Sequence, residues 1–321
     1  MIAKAPLRFK PYLKSVIWGG DKICAFKGIE QPSPNIGESW EISAVPGYES
    51  VVDGGVYNGL TINNLIETFG ASLLGDEVYE RYGSNFPLLI KLIDANDNLS
   101  VQVHPDDSLA MERHGCLGKT EMWYIIDSNE DALIYAGLQM ELTSQEYEDM
   151  VKRNELMEAL AVHESNPGDV FFLPAGRIHA IGAGNLLAEI QESSDITYRI
   201  YDYDRRDKDG NLRELHTGLA RDAIDYKVYP DYKIPPVADA ESDVELVNCE
   251  YFSTRRLILD GDADLTFDKR SFTVLMCVEG CARLVVPDNE MLMAAGTTIL
   301  IPAVLTNVHL EGKAVVLISR C

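Results

Sequence analysis

The octet GDVFFLPA at residues 168–175 returns near the end of the chain as GTTILIPA at 296–303. Each copy is a glycine, a short β-branched or aromatic run and a Pro-Ala break, and each follows a pair of strand-like runs. A chain that repeats a strand-and-turn unit in this way is expected to build two similar β-barrel or sandwich units in tandem. The copies differ in what precedes them. EMWYIID, headed by Lys119 and Glu121, stands ahead of the first copy, whereas SFTVLMC stands ahead of the second. The chemistry is therefore expected in the first unit.

Periodicity places few helices in this β texture. LTINNLIETFGASLLG carries apolar residues at Ile62, Leu65, Ile66 and Phe69, the stripe of an amphipathic helix, with Thr61 as its N-cap. Thr143 to Glu146 has the form of a capping box. Helical excursions are thus expected over about 61–83 and 143–162. Asp106 and Asp107 are read as turn and N-cap residues for SLAMERHG. Residues 226–243, rich in proline and acids and without periodicity, are read as a linker. It divides a first domain, 1–225, from a second all-β domain, 244–321.

The balance of 51 acidic against 28 basic residues, a net charge of −23, excludes nucleic acid and anionic membrane as partners, because phosphate backbones require a basic footprint. A small anionic substrate stays open. Charges are screened over about 8 Å at physiological salt, so a few local Lys and Arg outweigh distant acids. The N-terminal stretch lacks a signal-peptide core, and no run approaches membrane-spanning length. Six scattered cysteines show no metal-site spacing and are read as reduced thiols, mostly buried, with Cys321 exposed. A cytoplasmic protein, monomer or homodimer, is expected.

Two short strands then offer polar side chains to an apolar interior. In LSVQVHP, Gln102 and His104 sit two apart and share one strand face; Lys119 and Glu121 repeat that spacing. Buried polar groups are costly unless partnered, and a metal ion is one such partner. In GDVFFLPAGRIH, Pro174 and Gly176 make a tight turn that aims His179 back inside. Imidazole and carboxylate groups of this kind serve Zn²⁺ and equally Mn²⁺, Fe²⁺ or Ni²⁺, so residue type by itself does not choose the metal.

The Gly168–His179 pattern resembles the second motif of the cupin superfamily. The first cupin motif departs from the usual form: Gln102 replaces a histidine, and Glu121 lies 17 residues beyond His104. QVHPD, KTEM and PAGxxH in that order resemble the type I phosphomannose isomerase family in its compact bacterial form. So do WGG at Trp18, GESWEISA at 37–44 and QESSDITYRIYDYDR at 191–205. The resemblance covers about the first 225 residues.

It implies a mainly β fold of tandem, jelly-roll-type cupin units with a small helical insertion, the second unit degenerate. It implies one Zn²⁺ per chain on Gln102, His104, Glu121 and His179, with catalytic residues at Lys119, Asp195 and Arg199. Ser100 and Lys91 are implied near a sugar phosphate. The implied reaction is aldose–ketose isomerisation of mannose 6-phosphate and fructose 6-phosphate through a cis-enediol. Lys119, set beside a cation and Arg199, is expected to have a lowered pKa and to serve as base. Thr197, Arg199 and Tyr201 are expected on one strand face, Tyr198 and Ile200 on the other. His114, His163, His216 and His309 have no partners at ligand spacing and are read as ordinary surface or core histidines. Another metal-cupin activity, or a non-catalytic sugar-binding cupin, are the competing readings.

Overall fold

A computed structural model describes residues 2, 4–206, 209–235 and 242–321. Its first half is a sandwich of two antiparallel sheets. The larger sheet runs, in spatial order, Lys233–Ile234, Val170–Leu173, Glu121–Ser128, Asn185–Glu192, Leu88–Ala95, Ile36–Ile42 and Tyr12–Gly20. The smaller runs Tyr198–Tyr201, Val101–Val103, His179–Ile181, Leu133–Leu138 and Leu160–Glu164. Alternation along each strand sorts the side chains. Trp123, Ile125, Phe171 and Leu187 of the larger sheet meet Ile134, Ala136 and Ile181 of the smaller in one core. Each such fully buried large apolar side chain contributes about 1.5–3 kcal/mol.

Tyr198 and Ile200 point the other way, as their strand period requires, into a second cluster with Val101, Val103, Tyr147 and Ala220. The last two come from the helices Ser144–Arg153 and Thr217–Ala223, which cover the outer face of the smaller sheet. Thr143 accepts from the Glu146 backbone and Glu146 from that of Thr143, so the expected capping box forms. The helix ends at Arg153 on an αL Asn154, and Leu160–Glu164 is a strand. The expected helix to residue 162 is therefore too long. The αL exit at Asn154 stops it after ten residues.

The second unit is an eight-stranded sheet built on three 14-residue strands, Ser253–Thr266, Thr273–Val286 and Asn307–Arg320. Its core, with Leu257, Leu275, Cys277, Leu284, Ile299 and Val316, is apolar where the first unit carries polar pairs. The fold is thus mainly β with tandem cupin units, and the second is filled by side chains.

The boundaries differ from the sequence reading in two places. The strand Leu7–Lys10 pairs with Thr298–Ile301, so the start of the chain completes the sheet of the second unit. Within the expected linker, Lys233–Ile234 pairs with Val170 and Phe171, and Tyr232 is buried against the first core, its hydroxyl donating to Leu138 O at 2.8 Å. That part is not a solvated tether; residues 236–241 lie outside the described residues. The expected helix over 61–83 is three short ones, Ile62–Phe69, Ala71–Leu74 and Asp76–Tyr82, broken at Gly70 and Gly75. They lie between the units, where Phe86 and Phe272 stack at 4.7 Å between ring centroids.

All six cysteines are free, but only Cys24 and Cys277 are buried, fewer than expected; Cys281 is exposed, and Cys321, expected to be exposed, is only partly so. Among the described residues no helix is long and apolar enough to cross a membrane.

Candidate metal centre and active site

The site lies between the two sheets of the first unit. The Pro174–Gly176 turn aims His179 inward, and its glycine is required twice over. Gly176 has φ +87°, and a Cβ there would meet Ala223 O at 3.0 Å. Its N–H donates to His104 O at 2.9 Å, so the turn that presents one imidazole is tied to the strand that presents the other. The long step from His104 to Glu121 is filled by the helix Asp107–His114. Asp106 caps it through Leu109 N, and Lys119 N bonds Pro105 O to close the excursion.

His104, Glu121 and His179 are all buried, and their ligand atoms lie within 4.8 Å of one another. Glu121 Oε2 is 3.7 Å from His104 Nε2, and Oε1 is 3.4 Å from His179 Nε2. Each imidazole is oriented from behind: His104 Nδ1 donates to Ile196 O and His179 Nδ1 to Arg177 O, both at 2.8 Å. Those bonds turn the Nε2 lone pairs to the centre. His104 Nε2 and Glu121 Oε1 are buried without a hydrogen bond, and Glu121 Oε2 is met by the Lys119 ammonium at 2.9 Å. Uncompensated buried acceptors facing one point are costly in an apo core and fit a divalent cation. Gln102 is directly opposite His179 in the ladder, with Nε2 3.2 Å from His179 Nε2; a half-turn of its amide exchanges donor and acceptor oxygen.

Burial holds the His179 imidazole at about 4, and burial with Lys119 and His179 holds His104 well below its ordinary value. Both stay neutral, the form that binds metal. Burial also pushes Glu121 up, against the pull of Lys119.

Lys119 Nζ lies 2.9 Å from Glu121 Oε2 and 3.9 Å from Glu189 Oε1. Burial alone would lower its pKa, but Glu121, Glu189 and Glu38 together outweigh burial and raise it. The expectation of a lowered lysine is corrected: the carboxylates around it keep it an ammonium. Sequence reasoning missed Glu189, which receives Lys91 Nζ at 2.9 Å and the Trp123 indole at 3.1 Å. Its signal was available in register, since Glu189 faces Lys91 on one side and Trp123 on the other. Burial would raise the Glu189 carboxyl, yet Lys91 and Lys119 hold it low.

Lys91 itself is buried in a central strand and committed to Glu189, with Glu38 3.9 Å away, so it is not free for a phosphate. Ser100 is buried, with Oγ 3.5 Å from Gln102 Oε1. Asp195 is exposed on a different surface cavity of about 660 Å³, with Arg81, Cys116 and Ser193, and the structure does not bring it to the ligand cluster. The neighbouring Ile196 carbonyl reaches His104 instead.

Arg199 is directly opposite Gln102, next in the ladder after His179, so its side chain shares their face. Asp202 binds Arg205 Nη2 and Arg213 Nε at 2.6 Å each. Three guanidinium groups thus gather around one buried carboxylate, and burial first, then Arg213 and Arg205, lower Arg199. Arg199 Nε, Arg205 Nε and Tyr203 OH are buried without partners.

Tandem β units with a His–Glu–His cluster in the first define a cupin with a candidate metal site. Residues 7–166 match the model for the phosphomannose isomerase type I catalytic domain, and residues 242–321 that for the mannose-6-phosphate isomerase cupin domain. The chain is 39% identical over 318 residues to the Bacillus subtilis mannose-6-phosphate isomerase ManA, covering 98% of each. It is 33% identical to the Streptococcus mutans mannose-6-phosphate isomerase, again over 98% of each. The crystal structure of mannose 6-phosphate isomerase from Bacillus subtilis aligns with a TM-score of 0.86 at 34% identity, over 98% of this chain and 99% of that one. The chain belongs to the type I phosphomannose isomerase family and is an enzyme of that family.

Proposed function

We propose that this enzyme interconverts mannose 6-phosphate and fructose 6-phosphate through a cis-enediol, with one Zn²⁺ held by His104, Glu121, His179 and Gln102. The observation that carries the reading is the set of buried, unpartnered acceptors on His104 and Glu121 beside an ammonium, Lys119. Two nitrogens and a carboxylate with a fourth, weaker oxygen match a catalytic zinc site that keeps a position open. When bound, the ion supplies a Lewis acid that polarises the sugar carbonyl.

The remaining work falls to the chain's own residues. Isomerisation takes a proton from C2 and returns it to C1 on one face of the enediol, while O1 gains a proton and O2 loses one, so that negative charge grows on oxygen between the two transfers. Lys119 and Arg199 bring two positive charges to that oxygen. Glu189, ionised between two lysines, is the buried carboxylate beside Lys119 that is not spent as a ligand, and we assign the shuttled proton to it. The 6-phosphate is assigned to Arg205 and Arg213, two guanidinium groups that meet at Asp202, with Asp97 3.6 Å from Arg205.

Turnover in D2O tests the enediol. Solvent deuterium is expected at C1 of the fructose 6-phosphate formed, because a proton held on a carboxylate exchanges. Product formed with no deuterium at any level of conversion would replace the enediol with direct hydrogen transfer.

A further inference from the structure

Arg199 lies on the edge strand of the smaller sheet, Tyr198–Tyr201, the position least able to fix a side chain, since one side of its backbone has no strand to pair with. At Arg199 that side is taken by a single residue. His216 Nδ1 accepts the Arg199 backbone N–H at 3.1 Å, and the His216 backbone N–H donates to Arg199 O at 2.6 Å. The same stretch holds the far end of the side chain, with Arg199 Nη1 donating to Glu214 O at 3.0 Å. Both ends of the arginine are therefore held by three contacts from residues 214–216.

His216 is itself anchored. It opens the helix Thr217–Ala223, and its carbonyl accepts Ala220 N at 2.9 Å. That helix carries Ala220 into the cluster behind Tyr198 and Ile200. The histidine at this N-terminus makes no side-chain cap for its own helix; the imidazole is turned to Arg199 instead.

We propose that His216 is a positioning residue for Arg199: its imidazole substitutes for a missing strand neighbour and fixes the arginine opposite Gln102 in the ladder, with its guanidinium on Glu214 O. The role requires the neutral tautomer with the proton on Nε2, because a protonated Nδ1 has no lone pair for the Arg199 amide. It also requires no more than an acceptor at the Nδ1 position. Asparagine carries its Oδ1 at the matching place on the side chain, whereas alanine leaves the amide facing nothing.

This rests on the isomerase reading for its kinetic test but not for its structural one. In ¹⁵N–¹H correlation spectra of the wild-type protein labelled at histidine, the His216 ring is expected as the Nε2–H tautomer with an unprotonated Nδ1; an Nδ1–H tautomer would overturn the proposal whether or not the protein isomerises anything. In turnover of mannose 6-phosphate, His216→Ala is expected to lower kcat at least tenfold with KM within about twofold and metal content unchanged. His216→Asn is expected to recover most of that loss. A His216→Ala enzyme with kcat within twofold of wild type, or an Asn variant as impaired as the Ala variant, would contradict the positioning role. A wild-type protein with no turnover would instead count against the isomerase reading and leave the tautomer result to decide for His216.

Discussion

Glu121 and His179 come from opposite sheets of the first unit, yet Glu121 Oε1 and His179 Nε2 stand 3.4 Å apart, with no hydrogen bond closing on that oxygen. A cation bound between them joins the two sheets as well as serving chemistry. Metal binding should therefore show as stability, since a ligand bound only by the folded state stabilises it by RT ln(1 + [L]/Kd). Chelation should lower the melting temperature by several degrees, and readdition of Zn²⁺ should restore it. An unchanged melting curve after the metal has been shown to leave would remove the stapling role.

His179→Ala takes away one of two imidazoles and should lose metal and turnover together, measured by elemental analysis and assay on the same sample. A metal-replete, active His179→Ala protein would refute the ligand assignment.

Lys119→Met should separate the two. It keeps the ligands and removes the ammonium 2.9 Å from Glu121, so metal content should stay near wild type while kcat falls about a hundredfold or more, the scale of one lost electrostatic group at a reacting oxygen. A Lys119→Met enzyme within threefold of wild-type kcat would take Lys119 out of the mechanism.

The phosphate assignment predicts a different split. Arg213→Ala should raise KM for mannose 6-phosphate about tenfold or more and change kcat little, because it removes binding shared by ground and transition states. Any turnover of unphosphorylated mannose should be unaffected; equal losses on both sugars would place Arg213 elsewhere.

Glu192 supplies the pH dependence. Its carboxylate accepts Thr120 N at 2.7 Å, one residue from both Lys119 and Glu121, and burial, with Asp107 adding to it, pushes its pKa up from 4.5 to about 8. A carboxyl raised in the fold favours the protonated state. Its contribution is whole below pH 4.5 and is lost as pH climbs to about 8, on the order of 5 kcal/mol over the full range. Urea midpoints should fall across that window in wild type and fall markedly less in Glu192→Gln. Parallel slopes would assign the dependence to other groups.

Much of the site was legible because period two is a strong rule. Gln102 and His104, then Lys119 and Glu121, share faces in the fold as their spacing demands, and the PAG turn delivers His179. Tyr198 and Ile200 likewise point away from Arg199 into their own core. What failed was pairing across distance. Nothing local says that Lys91 in LLIKLI will face Glu189 in AEIQE, so a buried ion pair read as a free lysine. The carboxylates that keep Lys119 charged arrive from strands far along the chain, and a local estimate of its pKa took the wrong sign. Asp195, three residues past the end of a buried strand, turned outward. The strand Leu7–Lys10 reads like any other short strand, and only the fold reveals that it belongs to the sheet at the far end of the sequence.

The central claim is metal-dependent isomerisation at the His104–Glu121–His179 centre. A coupled assay converting mannose 6-phosphate to fructose 6-phosphate, run on metal-loaded, chelated and Zn²⁺-restored protein, tests it most directly. Turnover that disappears with the chelator and returns with Zn²⁺ is the predicted result. No turnover by the metal-loaded protein, or full turnover by protein shown to hold no metal, would contradict it.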